Sequence, residues 1–232
     1  MTTARQIRKL VRPLLERHPD LVLLDHAIWL LPLGQVARKI SIERSSMARY
    51  FTLKWRLMEL FGPKSIPGYT LGLCFSQVPR SRQFWDEIGG GTWVWSDPTM
   101  AEDFVVRVEE VMLPLLRSLD TTEKALTFMK AHDESSDFRG WPWNMAAAVA
   151  LGDLETARRI WLDTARHQLG PDAPPPGSRN PWDRYRELGA PLLADDRDAL
   201  ARILHRWEAE NVRGTALEPY WQPTPFPLER AT

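Results

Sequence analysis

The hydrophobic period of this chain changes once, near Asp97, and that change restricts the fold more than any other property of the sequence. Upstream, apolar residues recur at every second position, which suits a half-buried strand; downstream they recur at every third and fourth, which suits a helix with one buried face. The clearest upstream segment is Tyr50 to Leu57, where Phe51, Leu53, Trp55 and Leu57 alternate with Thr52, Lys54 and Arg56. Val36 to Ile42 is rich in β-branched residues, and Tyr69 to Phe75 alternates again. Ala27 to Leu31 and Thr92 to Ser96 are shorter strand candidates, the latter placing Trp93 and Trp95 on one face. The turn signals Gly62-Pro63, Pro67-Gly68 and Gly89-Gly90-Gly91 separate strands without room for crossover helices, so the sheet is expected to be antiparallel.

One amphipathic helix precedes the sheet. Ile7, Leu10, Val11, Leu14 and Leu15 line one face of Thr3 to Arg17, with Pro13 expected to disturb the middle. Beyond Asp97, Asp97-Pro98 reads as a helix start, Pro114 as a kink, and Asp120-Thr121-Thr122-Glu123 as a capping box. Gly152-Asp153 divides an alanine-rich helix (Met145 to Leu151) from one beginning at Leu154, and Asp196 to Glu210 is a further helix. The predicted fold class is α+β: an N-terminal helix packed on an antiparallel sheet, followed by a helical C-terminal region. The predicted organisation is 1–96 for helix and sheet, 97–213 for the helical region packed on it as one unit, and 214–232 for a proline-rich extended tail that wraps its own protein.

Charge and cysteine content narrow the function. Thirty basic and thirty acidic side chains cancel, so no global field draws in nucleic acid or an anionic membrane. The longest nearby apolar run, Ala27 to Leu33, is too short to span a bilayer, and the single cysteine, Cys74, suits a reducing, cytoplasmic setting. No histidine stands with another at metal-ligand spacing on one helix, and neither metal nor cofactor is expected.

The candidate sites follow from residue chemistry. His132, Asp133 and Glu134, in the polar string His132 to Asp137, bring an imidazole and carboxylates together and could supply an acid and a base, although a solvated loop of capping residues explains the same string. His26 beside Asp25 is a second histidine–carboxylate neighbour, weakened because adjacent strand residues point to opposite faces. Lys54 and Arg56, joined by Arg38 and Arg44 from a neighbouring strand, form an expected basic patch on the polar side of the sheet. Trp141-Pro142-Trp143 offers a rigid aromatic corner, with Trp141 and Trp143 as partner-binding residues or as mortar between sheet and helices.

The order helix, sheet, a helix carrying Leu113-Pro114-Leu115-Leu116, then the short Thr121-Thr122-Glu123-Lys124-Ala125-Leu126 segment resembles uncharacterised bacterial α+β domains of unknown function over residues 1–131. Some members of such families are suspected toxin-neutralising immunity proteins; the resemblance implies binding and carries no catalytic residues. Asn144 to Ala165 is similar to half of a tetratricopeptide-type hairpin, without a second copy at a fixed period. The expected function is therefore a non-catalytic, cytoplasmic binding protein of immunity type with a protein partner, no nucleic acid and no membrane. The alternative is a small-molecule hydrolase with its site at the sheet/helix junction, using His132, Asp133 and Glu134. Oligomeric state is not fixed by the sequence.

Overall fold

The computed structural model describes residues 2–44, 49–63, 73–77, 92–132, 136–168 and 183–230. Helix α1 (Ala4–Arg17) is opened by a reciprocal capping box: the Thr3 hydroxyl accepts the Gln6 N–H at 3.2 Å, and the Thr3 N–H donates to Gln6 Oε1 at 2.8 Å. Pro13 lies on its exposed side and the helix passes through it, burying Ile7, Leu10, Val11 and Leu14.

Six strands follow: β1 (Leu21–Leu24), β2 (Ala27–Leu30), β3 (Val36–Arg44), β4 (Tyr50–Glu59), β5 (Leu73–Gln77) and β6 (Thr92–Val94). They form one antiparallel sheet in the order β1-β2-β3-β4-β5, with β6 also paired to β4. The predicted strands at 27–31, 36–42, 50–57 and 92–96 are present, the last shortened to β6; residues 69–72 of the expected fifth lie outside the described residues. β1 was not anticipated. The Leu21-Val22-Leu23-Leu24 run has no alternation, because Val22 and Leu24 also meet apolar surface on the second face of the sheet.

One face of the sheet receives α1 and the downstream helices. Ile28, Ile40, Phe51, Leu53 and Leu57 are fully buried there, and Trp93 stacks on Phe51 (centroids 5.8 Å) and meets Phe104 edge-on (6.1 Å). The same apolar cluster continues into the C-terminal helices through Met145, Leu200 and Trp207 to Phe226 and Leu228. Fully burying one such large side chain contributes about 1.5–3 kcal/mol. The second face is not the solvated surface expected of it. Trp29, Ala37 and Leu60 pack there with Leu33 and Val212, beneath Leu217, Tyr220 and Trp221 from the C-terminal segment.

The helical half departs from expectation where proline chemistry intervenes. Helix α2 (Met100–Arg107) begins two residues after Pro98; Asp97 instead closes a turn, its carboxylate accepting the Thr99 N–H at 2.8 Å. Pro114 has no N–H and its ring would press on the carbonyl four residues back. The chain answers with a π turn over Val108–Met112, where the Leu113 N–H reaches back five residues to the Val108 carbonyl, and helix α3 (Leu113–Ser118) continues from there. Helix α4 (Thr122–Ala131) is capped by Thr121, whose hydroxyl accepts the Lys124 N–H; position N3 is lysine, so the expected reciprocal box is only half made.

Helix α5 (Ser136–Leu151) starts earlier than predicted and runs through Pro142 at the loss of one hydrogen bond, so Trp141-Pro142-Trp143 is a stretch of helix and not a corner. Gly152, at φ +79°, ends it, and the Asp153 N–H closes back on the Ala148 carbonyl before helix α6 (Leu154–Gln168). A 3-10 turn (Asp183–Leu188) leads into α7 (Gly189–Leu193) and then α8 (Arg197–Val212), capped by Asp196. The tail packs on its own chain: Leu33 forms a parallel bridge with Trp221, Phe226 is fully buried, and α9 (Pro227–Arg230) buries Leu228. The segment 171–182 lies outside the described residues. Among those described, no helix is long and apolar enough to cross a membrane.

Candidate functional site

A cleft of about 400 Å³ opens where the start of β3, the loop from α3 to α4 and the tail meet. Its floor is built by two buried polar residues, Gln35 (2 % exposed) and Arg38 (8 % exposed). Gln35 fixes three segments to one another: its amide donates to the Thr224 carbonyl of the tail, its carbonyl side-chain oxygen accepts the Thr122 hydroxyl of α4, and its main-chain oxygen accepts the Leu60 N–H. Arg38 is placed by register. Its cross-strand partner is Leu57, on the helix-covered face, so it cannot join Lys54 and Arg56 on the other side as the sequence reading had it. The phase was visible all along: Arg38 shares parity with Val36, Ile40 and Ile42.

The charges around the cleft are matched except for one. Arg117 holds Asp20 through two 2.9 Å hydrogen bonds, Lys124 holds Asp120 at 2.8 Å, and Arg230 stands 3.8 Å from Glu123. The bond from Arg117 keeps the Asp20 carboxyl below its ordinary range, and the bond from Lys124 does the same for Asp120. Arg38 has a single hydrogen bond, Nη1 to the Leu116 carbonyl at 3.2 Å, and among the described residues no carboxylate at ion-pair distance. Burial lowers its pKa against the raising pull of Asp120 and Asp20, yet an arginine remains charged throughout the physiological range. The first turn of α4 adds backbone N–H groups without partners inside the helix, together with the positive end of the helix dipole. Leu30, Leu31, Val36 and Leu119 supply an apolar wall.

The residues singled out from the sequence lie elsewhere. Lys54 and Arg56 do share one face, but both are paired with Glu43 of β3, Lys54 Nζ at 2.7 Å from its Oε2 and Arg56 on its other oxygen. Burial works to raise the Glu43 pKa, and the Lys54 hydrogen bond with the two cationic charges outweighs it, leaving the carboxyl below its ordinary value. A patch read as basic is therefore a half-buried ion-pair triad. It borders a second cleft, of about 600 Å³, lined also by His26, Trp29, Lys39 and Thr215. Asp25 and His26 form the two-residue turn between β1 and β2, with Asp25 at φ +54°.

Trp143 is 4 % exposed and packs into the core at the floor of a third cleft, between α4 and the α5–α6 hairpin, so its indole is not presented to a partner. The side chains of Trp141, Arg44 and Cys74 lie outside the described residues, as do Asp133 and Glu134. His132 is exposed at the end of α4, where its ring stacks on Phe128 (4.0 Å) and Nδ1 meets the Phe128 carbonyl at 3.0 Å. The three clefts described here are lined without it. Among the described residues no group of three or more His, Cys, Asp or Glu side chains could hold a metal ion.

One further ionisable cluster fastens the tail. Glu208 of α8 is fully buried; its Oε1 accepts the Trp221 indole N–H at 2.8 Å, and its Oε2 lies 3.4 Å from His205, which in turn reaches Glu229 at 2.9 Å. Burial raises the Glu208 pKa, with the Trp221 hydrogen bond and the His205 charge opposing it. The folded state thus holds this proton more tightly than the unfolded state, and the stability it lends falls as pH rises from the ordinary 4.5 through the raised value. Glu208→Gln keeps an acceptor for Trp221 and removes the ionisation. Urea midpoints measured from acidic to neutral pH should decline less steeply in the variant than in the parent, and parallel slopes would refute the assignment.

No protein-family model, no curated protein and no solved structure matches this chain.

Proposed function

We propose that this is a non-catalytic, cytoplasmic binding protein whose site is the Gln35–Arg38 cleft. The observation that carries the reading is Arg38: a buried guanidinium lining a concave surface, with its neighbours' carboxylates already engaged by other cations. A buried charge without a close counter-ion is costly, and a fold that keeps one beside a cleft of small-molecule size has a use for it there. The protein-partner form of the reading, including the immunity type, drew on Lys54, Arg56 and the Trp141–Trp143 pair. Glu43 neutralises the first two and the core absorbs Trp143, so the cleft is the better-supported site. The hydrolase alternative needed His132, Asp133 and Glu134 on a common pocket, and the exposed, self-capping His132 gives it no support. The lone Cys74 suits a reducing compartment.

The reading is tested by incubating the purified protein with a small-molecule extract, separating bound from free species, and weighing what is released. A retained compound should come off chemically unchanged and should not be retained by Arg38→Met. Release of a cleaved product would replace binding with catalysis.

A further inference from the structure

We infer that the Gln35–Arg38 cleft recognises small molecules through a single carboxylate seated on Arg38, with the first turn of α4 as the second anchor and the aliphatic wall taking the remainder of the ligand. This rests on the cleft being a binding site and goes on to name what it binds.

Three observations select a carboxylate. The Arg38 guanidinium is a planar fork with one Nη1 bond spent on Leu116, which leaves donors for a bidentate planar acceptor. The local charge calls for one negative unit and no more. Asp20, Asp120 and Glu123 are each met by Arg117, Lys124 and Arg230, so a monoanion balances Arg38, whereas a phosphate dianion would add like charge beside three carboxylates. The third observation is the contrast between the two ends of the cleft: Thr121 and Thr122 with helix N–H groups at one, and Leu30, Leu31 and Val36 at the other. That is the surface of an organic acid with an apolar body, since a bare ion would leave the aliphatic wall uncovered. Gln35 belongs to the scaffold of the site and not to its recognition chemistry, because its side-chain amide is already committed to Thr224 and Thr122.

The experiment compares benzoate with benzamide, which share shape and differ in charge, alongside acetate and inorganic phosphate, each against sodium chloride of equal ionic strength. Binding is followed by amide and arginine-side-chain NMR shifts of cleft residues and by melting temperature. Benzoate and acetate should shift Leu119 to Glu123 and the Arg38 Nε–H saturably, and benzamide should not. Arg38→Met should weaken benzoate by about tenfold or more, the loss of hydrogen bonds to a charged group. Arg38→Lys, which keeps the charge without the fork, should fall between. Replacing a buried cation by an apolar side chain of similar length is commonly neutral for folding; if Arg38→Met fails to fold, the benzoate–benzamide contrast in the parent and the Arg38→Lys variant decide the matter. Equal binding of benzamide, preferential binding of phosphate, or undiminished benzoate binding in the variants would overturn the carboxylate assignment while leaving the cleft a binding site. If no probe perturbs a cleft residue of the folded parent, both inferences fall.

Discussion

Trp93→Ala should lower the free energy of unfolding by about 3–5 kcal/mol, the range for emptying a well-packed aromatic site. Trp93 is fully buried, stacks on Phe51 and meets Phe104 edge-on. It is also the centre of β6, a three-residue strand paired with β4 through Tyr50, Phe51 and Thr52. A strand so short has little backbone pairing to hold it once its anchor is gone. Against a typical total of 5–15 kcal/mol the loss is large, and for a chain of this size each kcal/mol moves the melting point by roughly 2–4 °C. Urea unfolding should show a lower midpoint with an unchanged slope. Trp95 provides the internal control. Its indole donates to the Thr2 hydroxyl at 2.8 Å and its ring is 4.5 Å from Phe51, but it is only partly buried. Trp95→Ala should cost clearly less, and equal losses at the two positions would show that burial does not govern this pair.

Gly189→Ala should destabilise the protein by about 1–3 kcal/mol, the usual range for overpacking, although helix propensity alone predicts a gain of roughly 1 kcal/mol for alanine over glycine inside a helix. Gly189 opens α7 and lies directly against the Trp161 indole; a Cβ there would stand 2.2 Å from Cζ2 and 2.6 Å from Cε2. No real carbon pair approaches so closely, and a rigid bicyclic ring cannot yield by turning a terminal bond. Either α7 must move away from α6 or the indole must leave. The decisive measurement is the double-mutant cycle. In a Trp161→Ala background the substitution should become neutral or stabilising, because the steric penalty is gone and the propensity term remains. A loss of the same size in both backgrounds would place the conflict elsewhere.

How far the fold was legible in the sequence depends on whether the chemistry was local. Alternation in Tyr50 to Leu57 and the three-and-four spacing of Ile7, Leu10, Val11 and Leu14 each report a single face meeting a single core, and both elements are where the pattern put them. Leu21 to Leu24 carries no such pattern because the sheet is apolar on both sides at that end, and the cover on the second side comes from Leu217, Tyr220 and Trp221 near the other end of the chain. No local window holds that information. The same holds for the cleft. Gln35, Thr122 and Thr224 are far apart in sequence and meet through hydrogen bonds, and none belongs to a recognisable motif. Arg38 was noticed but placed on the wrong side, since its charge was weighed above its phase with Ile40 and Ile42. Glu43, which neutralises Lys54 and Arg56, is a cross-strand neighbour that only the β3–β4 register reveals.

The π turn at Val108–Met112 makes the α2–α3 segment depend on its length as well as its composition. A turn of this kind holds one residue more than an α-helical turn, so deleting a residue from it restores ordinary winding and rotates everything after it by about 100°. Arg117 would then swing away from Asp20, the Leu116 carbonyl from Arg38, and the loop that frames the cleft would leave the tail. Exposed positions such as Glu110 and Val111 should therefore accept many side chains, while the spacing between Phe104 and Leu116 admits neither a deletion nor an insertion.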